Sequence, residues 1–141
     1  MIDIKPLNLF STPLWGYVLR TEQYHASTYI EYLLDQQKNV TGAVKSNFGG
    51  YQTHDNLHKE GVFREFVTTL ENIANEIFIQ YSSEKLVVDA LWGNINTYGN
   101  FNAAHVHDGE LSGVMYLQVP KESGRIVFVN PAVRSDTHAI R

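Results

Sequence analysis

The spacing of the apolar residues changes from a helical to a strand period near the middle of the chain. Between Gly61 and Tyr81, apolar residues recur every three or four positions and form one continuous stripe. From Leu86 to Tyr98 they alternate instead along the chain. A period of 3.6 predicts a helix, whereas a period of two predicts a strand. The chain therefore predicts helices first and consecutive strands afterwards, which is typical of an α+β fold with an antiparallel sheet.

The first 82 residues predict one short strand and two helices. Residues 2–19 predict extended pieces broken by prolines, one of which pairs as a strand. A first helix is predicted over 22–37, with Thr21 as its N-cap. Residues 39–60 are rich in Gly, Asn, Ser and Thr and predict a loop. The second helix covers 61–81. The apolar stripe of the first helix is Ala26, Ile30, Leu33 and Leu34.

The rest of the chain predicts three strands between residues 86 and 131. The first covers Leu86–Tyr98, and both of its faces carry apolar residues, which predicts burial on both sides. The second covers Leu111–Val119. A turn at Pro120–Gly124 leads to the third, at Arg125–Asn130.

Composition narrows the class of protein. At 141 residues, with 43% hydrophobic residues, the chain predicts one domain over 1–141. The net charge is −4 and the basic residues form no stripe, which argues against nucleic acid or an anionic membrane as the main partner. Cysteine is absent, which excludes disulfides and thiolate metal sites. No apolar run is long enough for a membrane span, and a cytoplasmic protein is predicted.

Two histidines one residue apart are the sharpest chemical signal. His105 and His107 lie beside the acids Asp108 and Glu110. In an extended chain, residues i and i+2 project from one face, so both imidazoles can meet at one metal ion. Surface pairs of this kind also arise by chance, and that interpretation stays open.

Polar side chains on the neighbouring strands suggest a pocket for a polar ligand. Asn94 and Asn96 share one face of the first predicted strand, and Tyr116 lies on the second. The alternative is structural, with hydrogen-bonded strand asparagines and a core tyrosine.

The segment WGNINTYGNFNAAHVHDGELSGVMYLQVPKESGRIVFVNP resembles the core of a family of 2-oxoglutarate- and Fe(II)-dependent oxygenases of bacteria and marine phages. The family pattern has an Asn-rich strand, an HxH pair, a Ser-Gly-apolar-Tyr strand, a proline turn and a last strand ending in Asp-Pro. The similarity covers about residues 86–131. The stretches LFSTPLW and SNFGGYQT are also similar, more loosely.

The resemblance implies a fold, a metal and a co-substrate. The implied fold is a double-stranded β-helix, or jelly roll, with the two helices packed on one outer face. His105 and His107 would bind Fe(II), with His107 in place of the carboxylate of the commoner HxD pattern. Asp108 stands where relatives often have proline, and it is an alternative carboxylate ligand. Asn94, Asn96 and Tyr116 would line the pocket for 2-oxoglutarate.

The expected third iron ligand has no clear counterpart in the sequence. Relatives carry a distal histidine on a later strand, followed by a basic residue that binds 2-oxoglutarate. His138 comes too soon after the last predicted strand, and Arg134 is better interpreted as a surface residue. A jelly roll has about eight strands, and three are predicted after the second helix. We therefore expect a C-terminally truncated jelly roll, whose exposed strand edges favour a homodimer.

A second histidine motif has to be weighed against the first. His54-Asp55-Asn56-Leu57-His58 is similar in spacing to the HExxH helix of zinc peptidases, but Asp replaces the catalytic Glu. Two glycines precede it and no apolar helix surrounds it. A solvated loop over the pocket is the better interpretation.

Two functions remain from the sequence. The first is an oxygenase of the hydroxylase type that uses iron, 2-oxoglutarate and dioxygen to attack a C–H bond. The second is a non-catalytic, dimeric partial jelly-roll module that binds metal weakly or not at all. The primary substrate stays open among a protein side chain, a small metabolite and a nucleotide.

Overall fold

Within the residues that the structure describes, two helices and four short strands form the regular structure, apart from two 3-10 turns. The computed structural model describes residues 12–20 and 25–129. Its described part is a small α+β fold with short antiparallel strands, so the predicted class is confirmed at this level. The helices are α1 (Ala26–Asn39) and α2 (Arg64–Phe78), and the strands are β1 (Asn47–Phe48), β2 (Tyr51–Gln52), β3 (Asn94–Ile95) and β4 (Phe101–Asn102).

The chain divides into two units. Leu19–Arg125 forms one, and Met1–Val18 with Ile126–Arg141 forms the other. Of the second unit, residues 12–18 and 126–129 are described; they carry no helix or strand and their side chains are exposed. A single domain over 1–141 stays a prediction.

α1 matches the first predicted helix over most of its length. The prediction was 22–37, whereas the described helix runs from Ala26 to Asn39. Thr21, the predicted N-cap, lies outside the described residues. Tyr29 and Leu33 form the buried face, but Leu34, which the sequence placed on that face, is exposed. The prediction for Leu34 was wrong because Tyr29, an aromatic residue that the stripe omitted, turns the helix toward the core.

α2 is shorter than its predicted range of 61–81. A 3-10 turn, Gly61–Phe63, precedes Arg64, and the helix ends at Phe78. Phe66 is buried, and the other apolar residues of the stripe within the helix are half-buried, as predicted. Tyr81 lies beyond the helix and is exposed. Neither helix, within the residues described, is long and apolar enough to cross a membrane.

Aromatic rings join the two helices. The ring centroid of Tyr29 lies 5.0 Å from that of Phe63 and 5.5 Å from that of Phe66. Tyr32 meets Phe63 edge to face at 5.3 Å. Leu33 and Leu57 complete the buried cluster. Large aromatic side chains bury much apolar area each, so this cluster holds the unit together.

The predicted loop over 39–60 contains β1 and β2, and this part of the prediction was wrong. β1 pairs with β4, and β2 pairs with β3, both antiparallel. The partners are distant in sequence and the strands have two residues each. Local composition, rich in Gly and Asn, therefore gave no strand signal. A 3-10 turn, Leu57–Lys59, follows β2.

Between the two strand pairs, the facing chain segments have unequal lengths. Gly49 and Gly50 on one chain segment face the five residues 96–100 on the other. A Cβ at Gly50 would overlap Asn96, and one at Gly49 would overlap Asn100. Gly49 also has φ +79°, a conformation that glycine adopts at no steric cost. The glycine pair therefore lets an Asn-rich bulge lie directly against the opposite backbone.

The predicted strand Leu86–Tyr98 is regular only at β3. Side chains of α2 bind the backbone that follows the helix: the Asn75 amide donates to Leu86 O at 2.9 Å and accepts from Leu86 N at 2.8 Å. Glu71 accepts from Val88 N at 3.1 Å. These side chains bind backbone groups of Leu86 and Val88 that a neighbouring strand would otherwise bind. Burial on both faces is also contradicted, since Val87 is exposed.

The second and third predicted strands form no ladder within the described residues. Met115 and Leu117 nevertheless pack against the core cluster on alternate positions. The predicted period of two is therefore seen at residues 115–117 alone, without strand pairing, because alternation selects the buried face of a segment but not the strand beside it. Residue 130, the predicted end of the third strand, lies outside the described part. A homodimer through exposed strand edges stays a prediction.

Candidate metal centre

The His105 ring is fixed by a hydrogen bond to the backbone two residues earlier. Its Nδ1 lies 2.7 Å from the carbonyl oxygen of Ala103. A carbonyl oxygen only accepts, so Nδ1 must carry the proton and donate. In the neutral ring, Nε2 then holds a free lone pair, which is the atom and protonation state that a metal ligand needs.

The two imidazoles converge through their Nε2 atoms. His105 Nε2 and His107 Nε2 are 3.0 Å apart, and the rings meet edge to face with centroids 4.5 Å apart. Two nitrogen ligands at about 2.1 Å from one ion, about a right angle apart, lie about 3.0 Å from each other. The separation therefore fits two neighbouring positions on a six-coordinate ion such as Fe(II). The lone pair of His105 also accepts a hydrogen bond when His107 carries its proton on Nε2.

Trp92 lies against the second imidazole. The Trp92 and His107 ring centroids are 5.2 Å apart, with 36° between the planes. Leu91 and Ile95 pack against the core, and Gly93 lies close to Leu33 of α1. Side chains alternate along an extended chain, so Trp92 belongs to the face away from the helices. Trp92 therefore shares its face with Asn94, and its ring lies against His107.

The backbone just before the histidines is anchored to the segment around β1. Ala103 N donates to Ser46 O at 2.8 Å, and Asn102 Nδ2 donates to Ser46 Oγ at 3.4 Å. The rings of Phe48 and Phe101 stack at 4.9 Å, nearly parallel. Because Ala103 also holds the His105 ring, these contacts fix the position of the ligand nitrogen.

The three predicted pocket residues have different surroundings. Asn96 donates to Asn102 Oδ1 at 3.1 Å and lies against Gly50, so its amide is committed to the bulge. Asn94 pairs with Gln52 through the backbone, and its exposed amide makes no hydrogen bond with any described residue. Tyr116 is exposed, between the core-facing Met115 and Leu117. Binding of a co-substrate by these three residues stays a prediction.

The third ligand is not part of the described arrangement. Residues 12–20 and 25–129 contain no group of three His, Cys, Asp or Glu side chains that could hold a metal ion. His105, His107 and Asp108 are all exposed. Asp108 as the carboxylate ligand therefore stays a prediction, and His138 and Arg134 lie outside the described residues.

The second histidine motif does not form the helix that a zinc peptidase needs. His54 is exposed in an irregular segment, and His58 lies in the 3-10 turn Leu57–Lys59. The zinc-peptidase motif needs an α-helix, which places residues i and i+4 one above the other about one turn apart. The segment instead pairs with the backbone just before Trp92, since Leu91 N donates to Asp55 O at 2.9 Å and Leu57 N to Leu91 O at 3.0 Å. Its role here is structural.

Sequence reasoning did not assign a role to Trp92, Ser46 or the carbonyl of Ala103. The first had a signal, since Trp92 stands two residues before Asn94 on the same predicted face. The other two act through backbone atoms or a long-range contact, which no residue pattern displays.

Comparison with known proteins supports the family that the motif residues predict. Residues 90–140 match the family model described as "Putative 2OG-Fe(II) oxygenase". The matched range includes Trp92, both site histidines and Tyr116. This segment, about a third of the chain, is therefore similar to the 2OG-Fe(II) oxygenase family. No curated protein and no solved structure matches the chain.

Proposed function

We propose that this chain carries the iron-binding face of a 2-oxoglutarate- and Fe(II)-dependent oxygenase of the hydroxylase type. The observation that carries the proposal is the 3.0 Å separation of the two Nε2 atoms, with the His105 tautomer set by Ala103. The family match over 90–140 supplies the reaction class. The proposed fold is the jelly roll of that family, with α1 and α2 on one outer face.

In this proposal His105 and His107 hold the metal through Nε2. Fe(II) bound there would supply the oxidising chemistry with dioxygen and 2-oxoglutarate: one oxygen atom would enter a substrate C–H bond, and the other would go to 2-oxoglutarate, which leaves as succinate and carbon dioxide. The protein fixes the positions of the ligand nitrogens. Ala103 keeps the proton of His105 on Nδ1, so that the lone pair of Nε2 faces the ion.

The co-substrate pocket is proposed on the same side as the histidines. Asn94 offers a free amide with two donors and one acceptor, suited to a carboxylate or keto oxygen. Asn96 acts there indirectly, because its amide already binds Asn102. Tyr116 offers a phenol at the surface. The primary substrate stays open among the three classes named above.

The alternative is a non-catalytic, dimeric partial jelly-roll module that binds metal weakly or not at all. It is favoured by one observation: within the described ranges, two exposed imidazoles converge without a third ligand. Two histidines alone hold a divalent ion less tightly than a complete triad. The two functions differ in the affinity for Fe(II) and in its dependence on 2-oxoglutarate.

The test is an anaerobic titration of the whole chain with Fe(II) and 2-oxoglutarate. The oxygenase proposal expects a weak visible charge-transfer band that needs both additions. His105→Ala and His107→Ala should each remove it, whereas His54→Ala should leave it unchanged. A chain that shows no band and retains no metal supports the module. Loss of metal in His54→Ala alone would move the site to the second motif.

A further inference from the structure

The two site histidines are held in different ways. His105 has a backbone acceptor, Ala103 O, which fixes its ring about the donating Nδ1. His107 makes no hydrogen bond with the described residues except the one between its Nε2 and His105 Nε2. A metal ligand ordinarily has a second partner that fixes its ring orientation. For His107 that partner is missing among hydrogen-bonding groups.

The indole of Trp92 packs against His107 and can fix the orientation of its ring. Trp92 lies 5.2 Å from His107, centroid to centroid, and is half-buried. Tilted aromatic contacts at this distance are attractive and restrict rotation of the smaller ring. No hydrogen bond joins the indole to a ring nitrogen of His107 among the described contacts, so the contact with Trp92 leaves Nε2 available to a metal.

The backbone on both sides of Trp92 is bound to the segment before α2. Leu91 exchanges hydrogen bonds with Asp55 and Leu57, at 2.9 and 3.0 Å. Gly93 O accepts from Thr53 N, and Gly93 N donates to Thr53 Oγ1, both at 3.0 Å. Trp92 therefore stands on fixed backbone, whereas the loop with His107 makes no such bonds after Ala103 in the described part. The rigid residue of the pair is the tryptophan.

We propose that Trp92 is a positioning residue that orients the His107 imidazole toward the metal. The inference rests on the proposed function for the metal, but the Trp92–His107 contact itself does not. Without the indole, His107 samples several rotamers, and only some bring its Nε2 to the ion. The same contact makes Trp92 emission a reporter of the site, because a transition metal bound at His107 lies close to the indole.

The experiment uses Co(II) as an air-stable probe of the whole chain. Trp92→Ala should weaken Co(II) binding about tenfold, the smaller end of the effect of a lost partner beyond the ligands. Trp92→Phe should restore most of the affinity, since it restores an aromatic surface. The matched control is Trp15→Ala, which removes the other tryptophan and should leave the affinity unchanged. Unchanged affinity in a folded Trp92→Ala protein would overturn the proposal.

A second measurement does not depend on metal or on the fold of that variant. In the unsubstituted protein, the indole should displace the ring proton signals of His107, but not those of His54, from their usual NMR positions. The displacement should shrink in Trp92→Phe. His107 signals at ordinary positions would contradict the contact.

The two measurements separate the two proposals. In the Trp15→Phe background, Co(II) should quench the remaining emission, and His107→Ala should abolish the quenching. If Co(II) does not bind the chain at all, the proposed metal function fails, whereas the His107 signals still decide whether Trp92 orients the ring. If Co(II) binds and Trp92→Ala binds it equally well, only the positioning role fails.

Discussion

The half of the main unit that contains the helices and the half that contains the histidines have similar apolar content but opposite burial. In the first, Tyr29, Phe63 and Phe66 are almost completely buried. In the second, residues 103–114 are nearly all exposed, although Val106, Leu111 and Val114 are among them. The two halves differ in where their backbone groups find hydrogen-bonding partners. A helix satisfies its own backbone and needs only a surface to pack on, whereas a strand needs a neighbouring strand as well.

The chemistry lies at the border between these halves. Trp92 belongs to backbone fixed against the packed half, and His107 to the exposed loop. The site thus combines one rigid wall with ligands on a segment that has few contacts of its own. Segments of this kind open most easily, and binding sites are often built from them.

The largest expected effect tests the packed half. Phe63→Ala should lower the free energy of unfolding by about 3–5 kcal/mol, because the side chain is 3% exposed and contacts two tyrosine rings. Denaturant unfolding followed by circular dichroism measures the loss. Ile79→Ala is the control, since Ile79 is 76% exposed and should change stability by less than about 0.5 kcal/mol. Equal losses in both variants would contradict the buried cluster.

An intermediate effect is expected where α1 meets the extended segment that contains Trp92 and Gly93. A methyl group at Gly93 would overlap Leu33, so Gly93→Ala should cost about 1–3 kcal/mol. Gly113→Ala serves as the control, because nothing lies within 4 Å of the added carbon. Adding Leu33→Ala to Gly93→Ala should recover part of the loss specific to the overlap. A double variant whose losses simply add would show that the two residues do not touch.

The smallest expected effect belongs to the exposed half. Phe101→Ala removes the ring stacked on Phe48 at 4.9 Å, but Phe101 is 54% exposed. We expect a loss of about 0.5–1.5 kcal/mol, the range for an aromatic pair. The same Phe→Ala change would thus cost several times less than at Phe63, measured in the same unfolding experiment. A loss as large as that of Phe63→Ala would mean that this half is packed as firmly as the other.

Much of the packed half was predictable from periodicity. The stripe of α2 indicated its buried face, because an amphipathic helix carries its orientation in its own sequence. α1 was predicted with its face partly wrong, since Tyr29 rather than Leu34 meets the aromatic cluster. β1 and β2 were missed because each has two residues and its partner lies more than 40 residues away.

The candidate site was predictable as a set of residue types but not as an arrangement. The spacing of His105 and His107 indicated convergence on one face, and the family match over 90–140 supports the class. The sequence could not show that Asn96 is bound to Asn102 while Asn94 is free. Nor could it show that Trp92 lies against His107, because the contact joins residues 15 positions apart through a bulge.

By itself the sequence determined the order of helices and extended segments, the faces of α2 and the pair of imidazoles available to a metal. These properties depend on residues within a few positions of one another. Only the tertiary structure decided which extended segments find a partner, which asparagine remains free and which ring packs on His107. Those outcomes depend on contacts between distant segments, where the steric fit of a glycine or an indole selects one pairing among many that the local pattern allows.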